Sequence, residues 1–121
     1  MEKIANNYFD WLKNSMKTRF IGKNLAVSTP FLDSHNDGID IYLIPNEDGT
    51  ITITDDGYYA NDIDLFDILN KPKSREKLQL YLNAYNIKLE DGELITIIEP
   101  EKANIAIHFY ILGIMHINEL R

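Results

Sequence analysis

Between Phe31 and Asn70 the chain places ten carboxylates and no lysine or arginine, and the side chains with chemistry to offer gather in two short runs. These are Asp33-Ser-His-Asn-Asp37-Gly38 and Asp55-Asp56-Gly57. Carboxylate oxygens are hard ligands suited to magnesium, manganese or calcium, and one imidazole among them also admits zinc. If a hairpin carried both runs to one end, Asp33, His35, Asp37 and either Asp55 or Asp56 would form an irregular divalent site, and an activated water there would make a phosphoesterase-like hydrolase. The first run opens like an EF-hand loop but does not continue as one. His35 stands third, Asp40 eighth where an apolar residue belongs, and Ile44 twelfth where a bidentate Glu is required. Neighbours on a strand point to opposite faces, so Asp55 and Asp56 read as a turn into Tyr58-Tyr59 rather than as a proton-sharing pair. Acids also collect in turns and helix caps for purely conformational reasons. The expectation is therefore no bound metal and no cofactor, with the metallohydrolase as the alternative.

Other chemistries are closed by the residues present. The chain has no cysteine, which excludes disulfides, thiol catalysis and cysteine-held zinc or iron–sulfur centres. None of its nine lysines follows an Asp or Glu at a two-residue offset, the pattern a restriction-type nuclease needs. Glycine-rich phosphate loops, a Gly-x-Ser-x-Gly elbow and His-Glu-x-x-His are all missing. His108 and His116 are eight residues apart, too far for a metal pair on one helix turn, and are expected to pack in a core or interface.

Charge sorts the partners. The net charge is −7, yet residues 1–30 hold five basic and two acidic side chains and residues 71–121 hold seven of each, so the middle carries all the excess. Crowded like charges lower stability. Nucleic-acid binding needs clustered cations, and only Lys71 to Lys77 supplies a short cluster, so direct nucleic-acid contact is disfavoured, as is an anionic membrane surface. Arg75 could pair with the acidic block, although a surface pair contributes only ~0–1 kcal/mol.

The elements that must position these groups follow from spacing. At 121 residues with 45% apolar content, a single domain over 1–121 is expected. Ile4, Tyr8, Leu12 and Met16 predict an amphipathic helix over 2–20 that Gly22 ends. Leu25 to Thr29 is extended before Pro30. Ile39–Ile44 and Thr50–Thr54 alternate and should pair through the turn Pro45-Asn-Glu-Asp-Gly49. Asn61 can cap a helix to Leu69 with Ile63, Phe66 and Leu69 inward, and Ser74 another to Tyr85 with Leu78, Tyr81, Leu82 and Tyr85 inward. Asp91-Gly92 marks a second hairpin, between 87–89 and 94–98. Residues 103–120 are apolar nearly all round, which suits a central helix or one whose outer face meets a second copy. The class is α+β: a small antiparallel sheet of hairpins with N-terminal, central and C-terminal helices. No signal or membrane-spanning pattern is present, so a cytoplasmic location is expected.

Ser28-Thr-Pro-Phe-Leu-Asp-Ser-His-Asn-Asp37, the alternating Ile39–Ile44 strand and Ile53-Thr-Asp-Asp-Gly-Tyr58 together resemble the bacterial and prophage domain of unknown function DUF1828, over roughly 25–121. The resemblance implies a small cytoplasmic protein of bacteria or their phages and mobile elements, and no activity. The expected function is a non-enzymatic interaction module presenting Asp33, His35, Asn36, Asp37, Asp40, Glu47, Asp48, Asp55, Asp56 and Tyr58 to a basic protein partner. That partner would be a nucleic-acid-handling or defence protein, inhibited or regulated by a DNA-like row of negative charge.

Overall fold

The computed structural model describes residues 1–121. Six antiparallel strands form one sheet: β1 (Lys17–Ile21), β2 (Asn24–Leu32), β3 (Gly38–Pro45), β4 (Ile51–Thr54), β5 (Lys88–Glu90) and β6 (Glu93–Ile98). Their spatial order is β1-β2-β3-β4-β6-β5. The helices are α1 (Glu2–Ser15), α2 (Tyr58–Asp62), α3 (Leu65–Leu69), α4 (Pro72–Ala84) and α5 (Ala103–Asn118), with a 3₁₀ turn at Pro100–Lys102. The class is α+β, as the alternation and the helical spacing require. No helix is long and apolar enough to cross a membrane.

Period-two alternation sets which side of the sheet is covered. Ile39, Ile41, Ile53 and Leu94 are fully buried and join Leu78, Tyr110, Ile114 and Ile117 in one core. Asp40, between Ile39 and Ile41, is exposed on the other side. The expected β3–β4 hairpin forms with Tyr42 opposite Thr54 and Pro45 opposite Ile51, and the Asp91-Gly92 turn joins β5 to β6. The apolar segment after the 3₁₀ turn is a core helix: Tyr110, Ile111, Gly113, Ile114, Ile117 and Asn118 of α5 are buried. The Tyr110 hydroxyl donates to the Leu94 carbonyl at 2.6 Å, which satisfies the polar end of a buried ring. On its outer face Ile105 and Phe109 are the large exposed apolar residues.

Four expectations are corrected. The first helix stops at Ser15, and Lys17–Ile21 is a strand instead. Thr18, Phe20 and Ile21 favour an extended strand that pairs with β2 as a hairpin, and Gly22, at φ 61°, makes the tight turn. The segment 58–69 is two short helices rather than one. Asp64, at φ 51°, breaks the run and caps α3 through the Asp67 N–H, so the phase resets: Ile63 and Ile68 are buried, whereas Phe66 is 80% and Leu69 43% exposed. The following helix starts at Pro72, whose fixed φ and missing N–H suit a first turn, rather than at a Ser74 cap. His116 stacks on Tyr85 and lies tilted against Tyr81, packed as expected, but His108 is exposed.

Where β2 meets β3 the register shifts between Ser28 and Leu32. Thr29 turns its hydroxyl to the Ile39 carbonyl at 2.8 Å, and its own carbonyl lies where a Cβ on Gly38 would stand, 2.8 Å away. No flexible side chain can yield there. Gly38→Ala should therefore cost ~1–3 kcal/mol in urea unfolding, and an unchanged midpoint would show that the strands are not this close.

Candidate functional site

Both chemistry-bearing runs arrive at the same end of the sheet, because β3 begins beside Asp37 and β4 returns to Asp55. Two of the aspartates are consumed in building that end. Asp33 Oδ1 accepts the N–H groups of His35 at 2.8 Å and Asp37 at 3.1 Å, and Oδ2 accepts the Tyr59 hydroxyl at 3.0 Å. Asp55 Oδ1 accepts from the N–H of Gly57 and Leu94, and Oδ2 from the N–H of Tyr59 and Ala60, all within 3.0 Å. Each carboxylate curls the chain around itself. Asp55 also ties the first turn of α2 to the first residues of β6, and Asp33 holds the 33–37 loop against α2.

The remaining groups form an acidic cleft of about 540 Å³. Its walls carry Asp33, Asp37, Asp40, Asp55, Asp56 and Asp62, with Tyr42, Tyr58 and Tyr59 between them. Asp33 and Asp55 are buried, whereas Asp37, Asp40 and Asp56 are exposed and form no ion pair within 4 Å. Tyr58 is 55% exposed at the mouth. Its hydroxyl pKa is raised, by partial burial first and then by the charges of Asp33, Asp62 and Asp37.

One polar network closes the cleft from behind. Buried Asn118, near the end of α5, accepts the Ser34 N–H at 2.8 Å and donates to Asp62 Oδ2 at 2.9 Å. His35 Nε2 lies 3.0 Å from Asp62 Oδ1, and Arg121 Nε 3.7 Å away. Burial alone would raise the Asp62 carboxyl pKa; the Asn118 and His35 hydrogen bonds and the neighbouring positive charges outweigh it and hold it below the ordinary value. For Asp33 burial is likewise overcome by the Asp37 and His35 N–H groups and the Tyr59 hydroxyl, and its pKa falls. Tyr59 is pushed strongly the other way, by burial and by the Asp33 carboxylate that accepts its hydroxyl hydrogen bond and repels its anion.

The expected site residues are thus divided. Asp37, Asp40, Asp56 and Tyr58 share the cleft with usable side chains. Asp33 and Asp55 line it but are spent on backbone donors. His35 is turned onto Asp62, and Asn36 takes a left-handed turn conformation at φ 62°. Glu47 and Asp48 sit in the turn at the far end of the β3–β4 hairpin, seven strand steps or about 20 Å away, and do not belong to this surface. Arg75 does not pair with the acids; its guanidinium donates to the Leu69 carbonyl. Tyr42 and Asp62 were not singled out from the sequence. Tyr42 follows Asp40 by two residues on a strand, so period two alone places it on the same face. Asn118 and its partner Asp62 are 56 positions apart, a contact that no local pattern signals.

The divalent constellation does not assemble: no three His, Asp or Glu side chains converge to hold an ion, because Asp33 and Asp55 face N–H groups and His35 faces Asp62. Residues 29–117 match the model of a family described as a domain of unknown function, DUF1828. No curated protein and no solved structure matches the chain. The match leaves α1, β1 and the first residues of β2 outside it.

The two classes of aspartate should respond oppositely to substitution. Asp55→Ala strands four N–H groups and should cost ~4 kcal/mol or more, a large share of a small domain's stability. Asp37→Lys, Asp40→Lys and Asp56→Lys should leave the thermal midpoint unchanged or raise it by relieving repulsion. Acid should act through Asp33 and Asp62. With their folded pKa values below the unfolded value near 3.8, the stability they contribute is present above that pH and is lost as pH falls through the lowered values. Asp33→Asn should flatten that acid limb, and an unaltered limb would remove Asp33 from the account. Magnesium or manganese should leave the melting curve where it is, since a cation that bound the folded form alone would raise it.

Proposed function

As the chain belongs to the DUF1828 family, we propose that its acidic cleft is a docking site for a basic segment of another protein and that the chain acts by that contact rather than by catalysis. The observation that carries this reading is the pairing of charges inside the cleft: six aspartates line it and only Asp62 has a cation or imidazole partner. A fold that tolerates Asp37, Asp40 and Asp56 side by side gives up stability to keep them, and a lysine- or arginine-bearing partner removes the repulsion on binding. Tyr58 favours arginine in particular, since a guanidinium can stack on an exposed ring while its N–H groups reach carboxylates, with half-buried Tyr42 beside it.

The partner class follows from what such a surface competes with. A row of carboxylates presents charge as a phosphate backbone does, so a protein that handles nucleic acid offers the matching cations, and occupation of its nucleic-acid site would inhibit or regulate it. This is the role a small protein of a bacterium or its mobile elements would fill against a defence or nucleic-acid-handling enzyme.

A fluorescent arginine- and lysine-rich peptide serves as the probe, with affinity read by anisotropy. Affinity should fall on the order of tenfold between 50 and 300 mM salt as the charges are screened, and the triple change Asp37→Lys, Asp40→Lys, Asp56→Lys should abolish binding. Reversing Glu47 and Asp48 at the far end of the hairpin should leave it intact. Salt-insensitive binding, or equal loss from the two sets of reversals, would sink the reading.

A further inference from the structure

Strand pairing fixes which side chains share the sheet face turned away from α4 and α5. The core face carries Val27, Ile41 and Ile53, which pack with Leu78 of α4 and Tyr110 and Ile114 of α5. The opposite face of β1, β2 and β3 is built in level rungs. Lys17 pairs with Ser28 and Ser28 with Asp40; Arg19 pairs with Ala26 and Ala26 with Tyr42. Ile21 pairs with Asn24, and one step beyond the Leu25–Leu43 pair Asn24 comes level with Ile44. Directly opposed residues project to the same side of an antiparallel sheet, so all of these lie on one surface. It is open to solvent: Lys17, Arg19, Ile21, Ser28 and Asp40 are exposed, and Tyr42 and Ile44 are half-buried. Neither Lys17, Arg19 nor Asp40 has an ion-pair partner within 4 Å.

This surface is complementary to itself in one arrangement. A two-fold axis laid along β2, midway between copies stacked face to face about 10 Å apart, keeps each rung level and exchanges β1 with β3. Lys17 then stands over Asp40 of the second copy, Arg19 over its Tyr42 and Ile21 over its Ile44, each contact made twice. They are an ion pair, a guanidinium on an aromatic ring and an apolar pair. On the axis β2 meets β2 through Asn24, Ala26 and Ser28, whose short side chains leave the pairing to the flanking strands. A two-fold laid across the strands at the middle rung sets Arg19 over Arg19, and pairing the two β1 edges about their centre sets the same residues side by side. Only the first arrangement matches opposite charges, as an isologous contact requires.

We propose that the chain forms a two-fold dimer through this sheet face, with β1 of each copy lying over β3 of the other. A patch three strands wide and three two-residue steps long measures about 15 by 20 Å. Covering it on both copies buries ~1,000 Å² of accessible surface, the low end of specific interfaces, which suits a dimer that forms and parts at micromolar concentration. β1 and residues 24–28 of β2 lie outside the segment that matches the family, so the contact is one the matched segment alone lacks. The dimer stands apart from the docking reading of the cleft, with which it shares Asp40 and Tyr42. Where both hold, a second copy and a basic segment contend for the Asp40 carboxylate.

Sedimentation equilibrium of the full chain from about 1 to 500 µM reads the assembly directly. Wild type should pass from monomer to dimer over that range; a monomer throughout overturns the proposal. Lys17→Glu and Asp40→Lys should each weaken association about tenfold without lowering the melting curve at low protein concentration. Combined in one chain they should restore it, because the exchanged charges meet again across the axis, and failure to restore rejects this register. Arg19→Thr tells face from edge. It should weaken a dimer that sets Arg19 on Tyr42, whereas it would strengthen one made by joining β1 edges, and strengthening overturns the proposal. Asp37→Lys with Asp56→Lys should leave the dimer intact while weakening the binding of a basic peptide. Loss of the dimer in that variant would place the second copy in the cleft instead of on the sheet face, and the pairing would be wrong. An intact dimer with undiminished peptide binding would sink the cleft reading and leave this one standing.

Discussion

The arrangement depends on one carboxylate. Asp55 gathers N–H groups from the 57–60 turn and from the start of β6, positions that sequence separates by more than thirty residues. A neutral side chain could not accept four donors, and a carboxylate left without them would not remain buried. Because α2 is fixed there, Tyr59 reaches Asp33, the 33–37 loop is held, and the mouth of the cleft acquires a shape. The negative charge of this end of the molecule is therefore partly architectural. Removing Asp33 or Asp55 would not reveal whether the surface binds anything, since the surface would go with them.

What distinguishes the other acids is the absence of such employment. Asp37, Asp40 and Asp56 make no ion pair, and the nearest cations in the sheet run along β1, where Lys17 stands two strands from Asp40 through Ser28. Across the sheet the charge thus grades from a basic edge to an acidic end. A basic partner of the kind proposed would meet an attractive field there before contact, and such a field raises the rate of encounter more than the final affinity.

Much of this could be read from residue order. Alternation placed β3 and β4 correctly, and the Asp91-Gly92 turn located β5 and β6, because a half-buried strand advertises its covered face every second residue. The acidic block was visible as a charge count, and the meeting of Asp33 to Asp40 with Asp55 and Asp56 at one end followed once the hairpin was drawn, whereas the same hairpin sends Glu47 and Asp48 to the other end. Failures arose where a single backbone angle mattered. Asp64 in the left-handed region resets a helix that Phe66 and Leu69 would otherwise continue, and a two-residue turn at Gly22 converts a helical reading into a strand. The roles of the individual aspartates were illegible, since Asp33 and Asp37 differ only in which N–H groups lie within 3 Å after folding.

The strand order also leaves two open borders. At one, β5 has only three residues and carries Lys88 and Glu90, too short to template a neighbour. At the other, β1 pairs with β2 on one side only and leaves its outer edge free over five residues, together with Phe20 and Ile21, which are exposed. Lys17, Arg19 and Lys23 are what keep that border single, by mutual repulsion between approaching copies. A change that neutralised Lys17 and Lys23 would leave Arg19 as the single charge guarding that border, with Phe20 and Ile21 beside it.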